Sequence, residues 1–184
     1  MLEQDVESAL AADAGVSQLL YFLQENLRGP MRTGTALPEI VDAPCWKVTP
    51  ADLTKFLKEL YALVPRDSVL CLEGVDALAI EVYLEERPSS FENETNQGLF
   101  RMRPKVYFTP ITEENLKDLA SLTSAHAEPE VCSHLRVYSD RTIILSWHDL
   151  PDDPFYVASE IDETAVMRFC DALGSRYEFK ESAS

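Results

Sequence analysis

The segment LRVYSDRTIILSW, residues 135–147, decides the fold class that we predict for this chain. Its two halves place apolar residues at every second position, and the polar residues 139–141 separate them. Such alternation is typical of strands with one buried face, and a short polar turn between two of them predicts an antiparallel hairpin. The apolar faces match when Leu135 lies opposite Leu145, so we expect that register.

Helical and strand-like patterns are interleaved along the rest of the chain. Helices are expected over 19–27, from Thr49-Pro50 to Val64, over 77–86 (where a strand is the alternative), from Thr112 and from Asp162 to Gly174. Strands are expected over 68–72, 99–109 and 155–158; Pro104 places the second at a sheet edge or starts it at Lys105.

This order of elements predicts an α+β fold, with a mixed or mainly antiparallel sheet and helices packed on one face. We expect one domain over residues 1–184, because a chain of this length usually forms one core. Residues 1–15 are expected to form a loose helical arm. Residues 29–44 hold three prolines and two glycines, which is typical of a connector.

The chain is strongly acidic, with 32 Asp and Glu against 16 Lys and Arg, a net charge of −16. Hydrophobic residues make up 46% of it, so the acidity accompanies a foldable composition. Negative charge repels phosphate backbones and attracts basic proteins. We therefore expect a basic protein partner and no nucleic acid; the simpler interpretation is that the acidity serves only solubility.

The N-terminal sequence MLEQDVESALAADAG has neither the basic nor the apolar region of a signal peptide, and no apolar run is long enough to span a bilayer. Four cysteines lie far apart, without a C-x-x-C pair, which indicates free thiols. These features predict a cytoplasmic protein without membrane contact.

The acidic segment 149–163 is the first candidate site. It contains six carboxylates and no Lys or Arg, and aromatic residues flank its first part. Aromatic and acidic residues together suit an interface with a basic protein. We expect partner binding by Trp147, Asp149, Asp152, Asp153 and Tyr156. The alternative is a solvated turn beside core aromatics.

A metal site is the second candidate. In the expected register, Cys132, His134 and His148 share the strand face away from the core, with Asp149 at the strand end. Thiolate, imidazole and carboxylate groups are the usual zinc ligands. The spacing matches no recurrent zinc motif, so ordinary polar strand positions are the alternative.

The third candidate is a basic stripe formed by Arg101, Arg103 and Lys105 on one strand face. Three cations in a row would suit a phosphate or a partner's carboxylates. The alternative is edge protection, because charged side chains on an exposed strand prevent edge-to-edge pairing.

No catalytic motif accompanies these candidates: the chain lacks a G-x-S-x-G elbow, a P-loop and a dinucleotide fingerprint. The leading hypothesis is a non-enzymatic protein-binding module, of the kind that acts as an inhibitor or immunity protein against a basic partner. The alternative is a small enzyme or ligand-binding protein with a metal or anion site on the sheet. No cofactor is expected, and the oligomeric state is open.

Overall fold

The computed structural model describes residues 40, 43–87 and 105–181. The strands in these residues are β1 (Cys45–Val48), β2 (Val69–Glu73), β3 (Val106–Pro110), β4 (His134–Ser139), β5 (Thr142–Trp147), β6 (Phe155–Ala158) and β7 (Tyr177–Lys180). The helices are α1 (Leu53–Leu63), α2 (Leu78–Glu85), α3 (Glu113–Thr123), the single turn α4 (Glu128–Val131) and α5 (Glu163–Leu173).

The strands form one seven-stranded sheet in the order β3-β2-β4-β5-β6-β1-β7. Every neighbouring pair is antiparallel. The helices pack side by side on one face, with α1 against both α3 and α5, and α2 against α3. The α+β prediction is confirmed. The predicted helix 19–27, the arm 1–15 and most of the connector 29–44 lie outside the described residues.

The predicted hairpin is confirmed as β4 and β5, but its predicted register is wrong. The structure pairs Leu135 with Trp147 and Val137 with Leu145. The turn has two residues, Asp140 and Arg141, with φ of 46° and 68°, and the register shifts beyond it at Val137/Tyr138. Two left-handed residues match the twist of a tight hairpin, and the bulge accommodates one extra residue on β5. Together they shift β5 by two residues from the expected pairing.

Helix ends follow the expected capping chemistry with one correction. The backbone N–H of Lys55 donates to Asp52 at 2.8 Å, so α1 begins at Leu53, three residues beyond Pro50. Thr49 does not cap it; its hydroxyl accepts from the Arg176 N–H at 2.9 Å and joins the end of β1 to the start of β7. The predicted helix starts at Thr112 and Asp162 and the predicted end at Gly174 are confirmed, and each of these residues caps its helix.

The structure also decides between helix and strand for one segment and fixes the position of the strand near Pro104. The segment 77–86 is the helix α2 rather than a strand. The predicted strand 99–109 is described only from Lys105 onward; it begins at Val106 and forms one edge of the sheet, as Pro104 predicts. No helix in the described part of the chain is long and apolar enough to cross a membrane.

The core centres on Phe56 of α1, which is fully buried against the sheet. Its ring centroid lies 5.1 Å from that of Trp147, 5.3 Å from Phe155 and 5.6 Å from Phe169. Offset and edge-on aromatic packing of this kind adds to the free energy of burial. The cluster therefore links α1 and α5 to the centre of the sheet.

All four cysteines are buried free thiols, as expected from their spacing. Burial raises the pKa of the Cys71 and Cys132 thiols from 9.0 to about 12, and that of Cys170 to about 11. A buried thiolate lacks solvation, which is why the protonated form is favoured in the folded protein.

We expect Phe56→Ala to lower the free energy of unfolding by about 3–5 kcal/mol, because it empties the centre of the aromatic cluster. Urea unfolding followed by circular dichroism measures this. Tyr61→Ala is the matched control, since Tyr61 is an exposed aromatic residue on the same helix; its cost should be about 1 kcal/mol or less. Equal costs for the two variants would contradict the assigned core.

We expect the free energy of unfolding to fall as pH rises above about 9, because the thiols ionise in the unfolded chain and stay protonated in the folded one until about pH 12. Each such thiol contributes a loss of up to about 1.4 kcal/mol per pH unit in this window. Urea unfolding across the alkaline range should therefore show a shallower pH dependence for Cys132→Ala than for the wild type. Parallel pH profiles would contradict the burial of this thiol.

Candidate functional site

Three segments that are distant in sequence meet at one end of the sheet. They are residues 73–77 after β2, residues 130–134 before β4 and residues 148–153 after β5. The Ser133 N–H donates to the Glu73 carbonyl at 2.9 Å, and the Leu150 N–H donates to the Ser133 carbonyl at 3.2 Å.

The first two segments are also joined further along the chain. The N–H groups of Asp76 and Ala77 both donate to the Glu130 carbonyl, at 3.0 and 2.9 Å. Backbone bonds thus hold all three segments side by side.

This end of the sheet is a surface of net negative charge. Five exposed carboxylates lie on the three segments, and none of the segments contains Lys or Arg. We call this set the acidic end; it consists of Asp76, Glu130, Asp149, Asp152 and Asp153. The sequence pattern identified the last three. Asp76 and Glu130 were missed because only tertiary hydrogen bonds bring them here.

Two cations lie beside the acidic end, and each is paired with a different carboxylate. Arg136 Nη1 lies 3.0 Å from Glu73 Oε2, and both side chains are largely buried. Lys105, whose carbonyl accepts from the Gly74 N–H, pairs through Nζ with Glu81. Neither pair neutralises the acidic end itself.

Imidazole rings contact two members of the acidic end. His126 Nδ1 lies 3.5 Å from Glu130 Oε2, and His134 Nδ1 lies 4.0 Å from Asp149 Oδ1. Both rings therefore lie at the border of the acidic end.

Trp147, expected to bind a partner, lies inside the protein. Its side chain is 0% exposed and packs against Phe56 and Phe155, which corrects the expectation that it lies on the surface. Trp147 lies opposite Leu135 and two residues after Leu145, so it faces the core with both of them. The indole Nε1–H donates to the Asp153 carbonyl at 2.8 Å, so Trp147 anchors residues 149–153, which we call the acidic loop.

Tyr156 lies on a different surface from the acidic loop. In β6, it lies between Ser146 of β5 and Lys47 of β1, on the sheet face opposite the helices. The Nζ of Lys180 lies 5.8 Å from the centre of its ring. Tyr156 is half-buried there. Of the five expected contact residues, the structure therefore groups Asp149, Asp152 and Asp153.

The two histidines of the expected metal site are neighbours. The ring centroids of His134 and His148 lie 5.1 Å apart. The Asp149 N–H donates to His134 Nδ1 at 3.3 Å, and Ser146 Oγ lies 2.9 Å from His148 Nε2. These contacts join the histidines to the start of the acidic loop.

Cys132 does not join the two histidines. It is fully buried and belongs to the hydrophobic core, because the chain bends at Ser133 before β4 begins. Within residues 43–87 and 105–181, no three His, Cys, Asp or Glu side chains are grouped so as to hold a metal ion. Burial also favours the thiol by raising its pKa, whereas zinc binds the thiolate.

The Ser146–His148 hydrogen bond has the form of a nucleophile paired with a base. Ser146 is, however, only 4% exposed, in the middle of the sheet. A substrate carbonyl has no approach to a hydroxyl that is covered to this extent, so the pair is better explained as the satisfaction of a buried polar group.

The basic stripe is described only at Lys105, since Arg101 and Arg103 lie outside the described residues. Glu81 accepts from Lys105 Nζ and, at 2.8 Å, from the Tyr107 hydroxyl. Through this carboxylate, the start of the edge strand β3 is tied to α2.

Gly74 lets the first two segments of the acidic end approach each other. Its φ is +72°, and a Cβ at this position would overlap Ser133 Oγ. That hydroxyl donates to the Glu73 carbonyl at 3.1 Å. Any side chain at Gly74 therefore displaces a group that holds the acidic end together.

We expect Gly74→Ala to destabilise the protein more than Gly174→Ala does. Gly174 has φ +73°, and a Cβ added there would meet no atom within 4 Å, so its substitution measures backbone strain alone, about 1 kcal/mol. Gly74→Ala adds the loss of the Ser133 hydrogen bond, a further cost of about 1 kcal/mol. Urea unfolding measures the free energy of unfolding of the two variants. Equal losses would show that Ser133 does not resist the added methyl group.

Comparison of the chain with protein-family models, with curated proteins and with solved structures finds no match in any of the three. Inference about function therefore rests on the residues of this chain.

Proposed function

We propose that this protein is a non-enzymatic binding module whose acidic end docks on a basic surface of another protein. The observation that carries the proposal is the convergence of five exposed carboxylates from three segments that contain no Lys or Arg. Like charges held close together repel one another, and a cationic partner relieves that repulsion. The same field accelerates the encounter with such a partner.

The construction of the acidic end supports this role. Backbone hydrogen bonds join its three segments, and Trp147 anchors Asp153 through the indole N–H. A surface that is ordered before binding loses less conformational freedom on association. The carboxylates are thus presented on a rigid frame rather than on a free loop.

The partner class that fits best is a basic enzyme that acts on nucleic acid, with this protein as its inhibitor or immunity protein. An active site that binds phosphates is lined with cations, and a rigid array of carboxylates competes for them. We place the role in the cytoplasm, because four free thiols suit a reducing compartment. The negative charge disfavours direct nucleic-acid binding by this chain.

We expect the triple variant Asp149→Asn/Asp152→Asn/Asp153→Asn to lose its partner. Association should slow roughly tenfold at low salt, because the steering charge is removed while the fold remains. Asparagine adopts the left-handed backbone found at Asp149, φ 48°, so this change keeps the loop conformation. Capture from a lysate of the source cells at low salt, read by mass spectrometry, identifies the partner, and stopped-flow mixing then measures the rate.

Asp67→Asn/Asp171→Asn/Glu181→Gln is the matched control. It removes the same charge from exposed positions outside the acidic end. We expect this control variant to bind the partner as the wild type does. Raised salt should release the partner from the control variant and from the wild type alike. Equal capture by the two triple variants, or the absence of any basic protein from the captured set, would contradict the proposal.

A further inference from the structure

Helix α2 carries apolar side chains on two opposite sides. Ile80 and Leu84 are buried in the core, whereas Leu78 is 70% exposed and Val82 is 45% exposed. At roughly 100° per residue, Leu78 lies about 140° and Val82 about 180° from the direction midway between the two buried residues. A helix that packs on a core with one face normally presents polar residues on the other. The exposed pair is therefore unexplained by the fold.

The orientation of α2 is fixed by polar contacts on its buried side. The Tyr83 hydroxyl donates to the Asn115 carbonyl of α3 at 3.4 Å, and Glu81 binds Lys105 and Tyr107 of the β3 segment. These contacts hold α2 against two neighbouring elements. Leu78 and Val82 are consequently kept facing outward, and rotation of the helix does not bury them.

The exposed pair adjoins the acidic end and has acidic neighbours of its own. Asp76, a member of the acidic end, lies two residues before Leu78. Glu85 and Glu86 are exposed at the other end of the helix, next to Val82. The nearby cation Arg87 has its guanidinium over the Tyr83 ring, 4.1 Å from the ring centre, and its Nη1 also lies 3.7 Å from Glu86 Oε2, so Glu86 is already paired. An apolar patch with a charged border is the usual anatomy of an interface.

We propose that Leu78 and Val82 are the apolar centre of the partner-binding surface, and that their occupant is an amphipathic helix whose apolar stripe is bordered by Lys and Arg. This inference rests on the proposed function and names the partner's binding element. The apolar residues of that helix cover Leu78 and Val82. Its cations face Asp76 and Glu85.

Charge disfavours a second copy and residues 1–30 as the occupant. A second copy brings a net charge of −16 and the same acidic border to the patch. Residues 1–30 contain leucines at helical spacing, but also five acidic residues and one Arg. Both would place carboxylates against carboxylates, which is unfavourable at close range. A basic amphipathic helix satisfies the apolar centre and its border together.

Two synthetic peptides of equal length and equal lysine content test the inference on the full chain. One carries leucines at helical spacing, and the other carries serine at those positions. By fluorescence anisotropy, we expect the wild type to bind the leucine peptide roughly tenfold more tightly, because two aliphatic side chains leave water. Leu78→Ser/Val82→Ser should remove this preference and leave binding of the serine peptide unchanged. Met167→Ser, which alters an apolar side chain that is 41% exposed on α5, should keep the preference.

Each outcome decides between the inference and its alternatives. Equal binding of the two peptides to the wild type, or a preference that survives in Leu78→Ser/Val82→Ser, overturns the inference. A wild-type dimer in sedimentation that this double variant dissociates also overturns it, because the occupant is then a second copy. Binding of the serine peptide that is insensitive to Asp149→Asn/Asp152→Asn/Asp153→Asn overturns the proposed function instead. Unchanged melting temperatures show that the variants are folded.

Discussion

The left-handed turn at Asp140 and Arg141 is the constraint on which the rest of the sheet depends. It joins β4 and β5, which lie at the middle of the strand order, so their register sets the positions of β2 on one side and β6 on the other. Because side chains alternate between the two faces of a sheet, this register also decides which residues meet the helices. Trp147 packs on Phe56 for that reason, and its indole is thereby placed to hold the acidic loop.

The acidic end places like charges on a frame of neutral interactions. Carboxylates gathered at one place lower the stability of the folded chain by mutual repulsion. The structure offsets this cost with neutral interactions, namely the backbone bonds around Ser133 and Glu130 and the buried indole of Trp147. Nearby cations are paired elsewhere, Arg136 with Glu73 and Lys105 with Glu81.

Buried polar groups on the outer face of the sheet have a structural role in the same arrangement. Ser146 bonds His148, and His134 accepts from the backbone of Asp149. These contacts fix the point at which β5 leaves the sheet and the acidic loop begins. The residues that suggested metal chemistry therefore position the loop that carries the negative charge, whereas Cys132 serves the core.

Local patterns in the sequence were sufficient for most of the secondary structure and for the fold class. Alternation around Val137 and Leu145 predicted the hairpin, helical spacing from Leu53 to Leu60 predicted α1, and Gly174 marked the end of α5. These patterns predict the elements correctly because they depend on contacts between residues that are close in sequence. The register did not follow from them, since a two-residue turn with a bulge and a three-residue turn satisfy nearly the same apolar pattern.

The sequence by itself determined the charge of this protein, its free thiols and its α+β architecture. Only the tertiary structure decided that Trp147 is buried, that Asp76 and Glu130 join the acidic loop, and that Leu78 and Val82 face outward. The physical reason is that each of these depends on pairing between segments far apart in the chain. Local propensity does not depend on such pairing. The hydrogen bonds to the Glu130 carbonyl and the packing of Trp147 on Phe56 are direct examples of it.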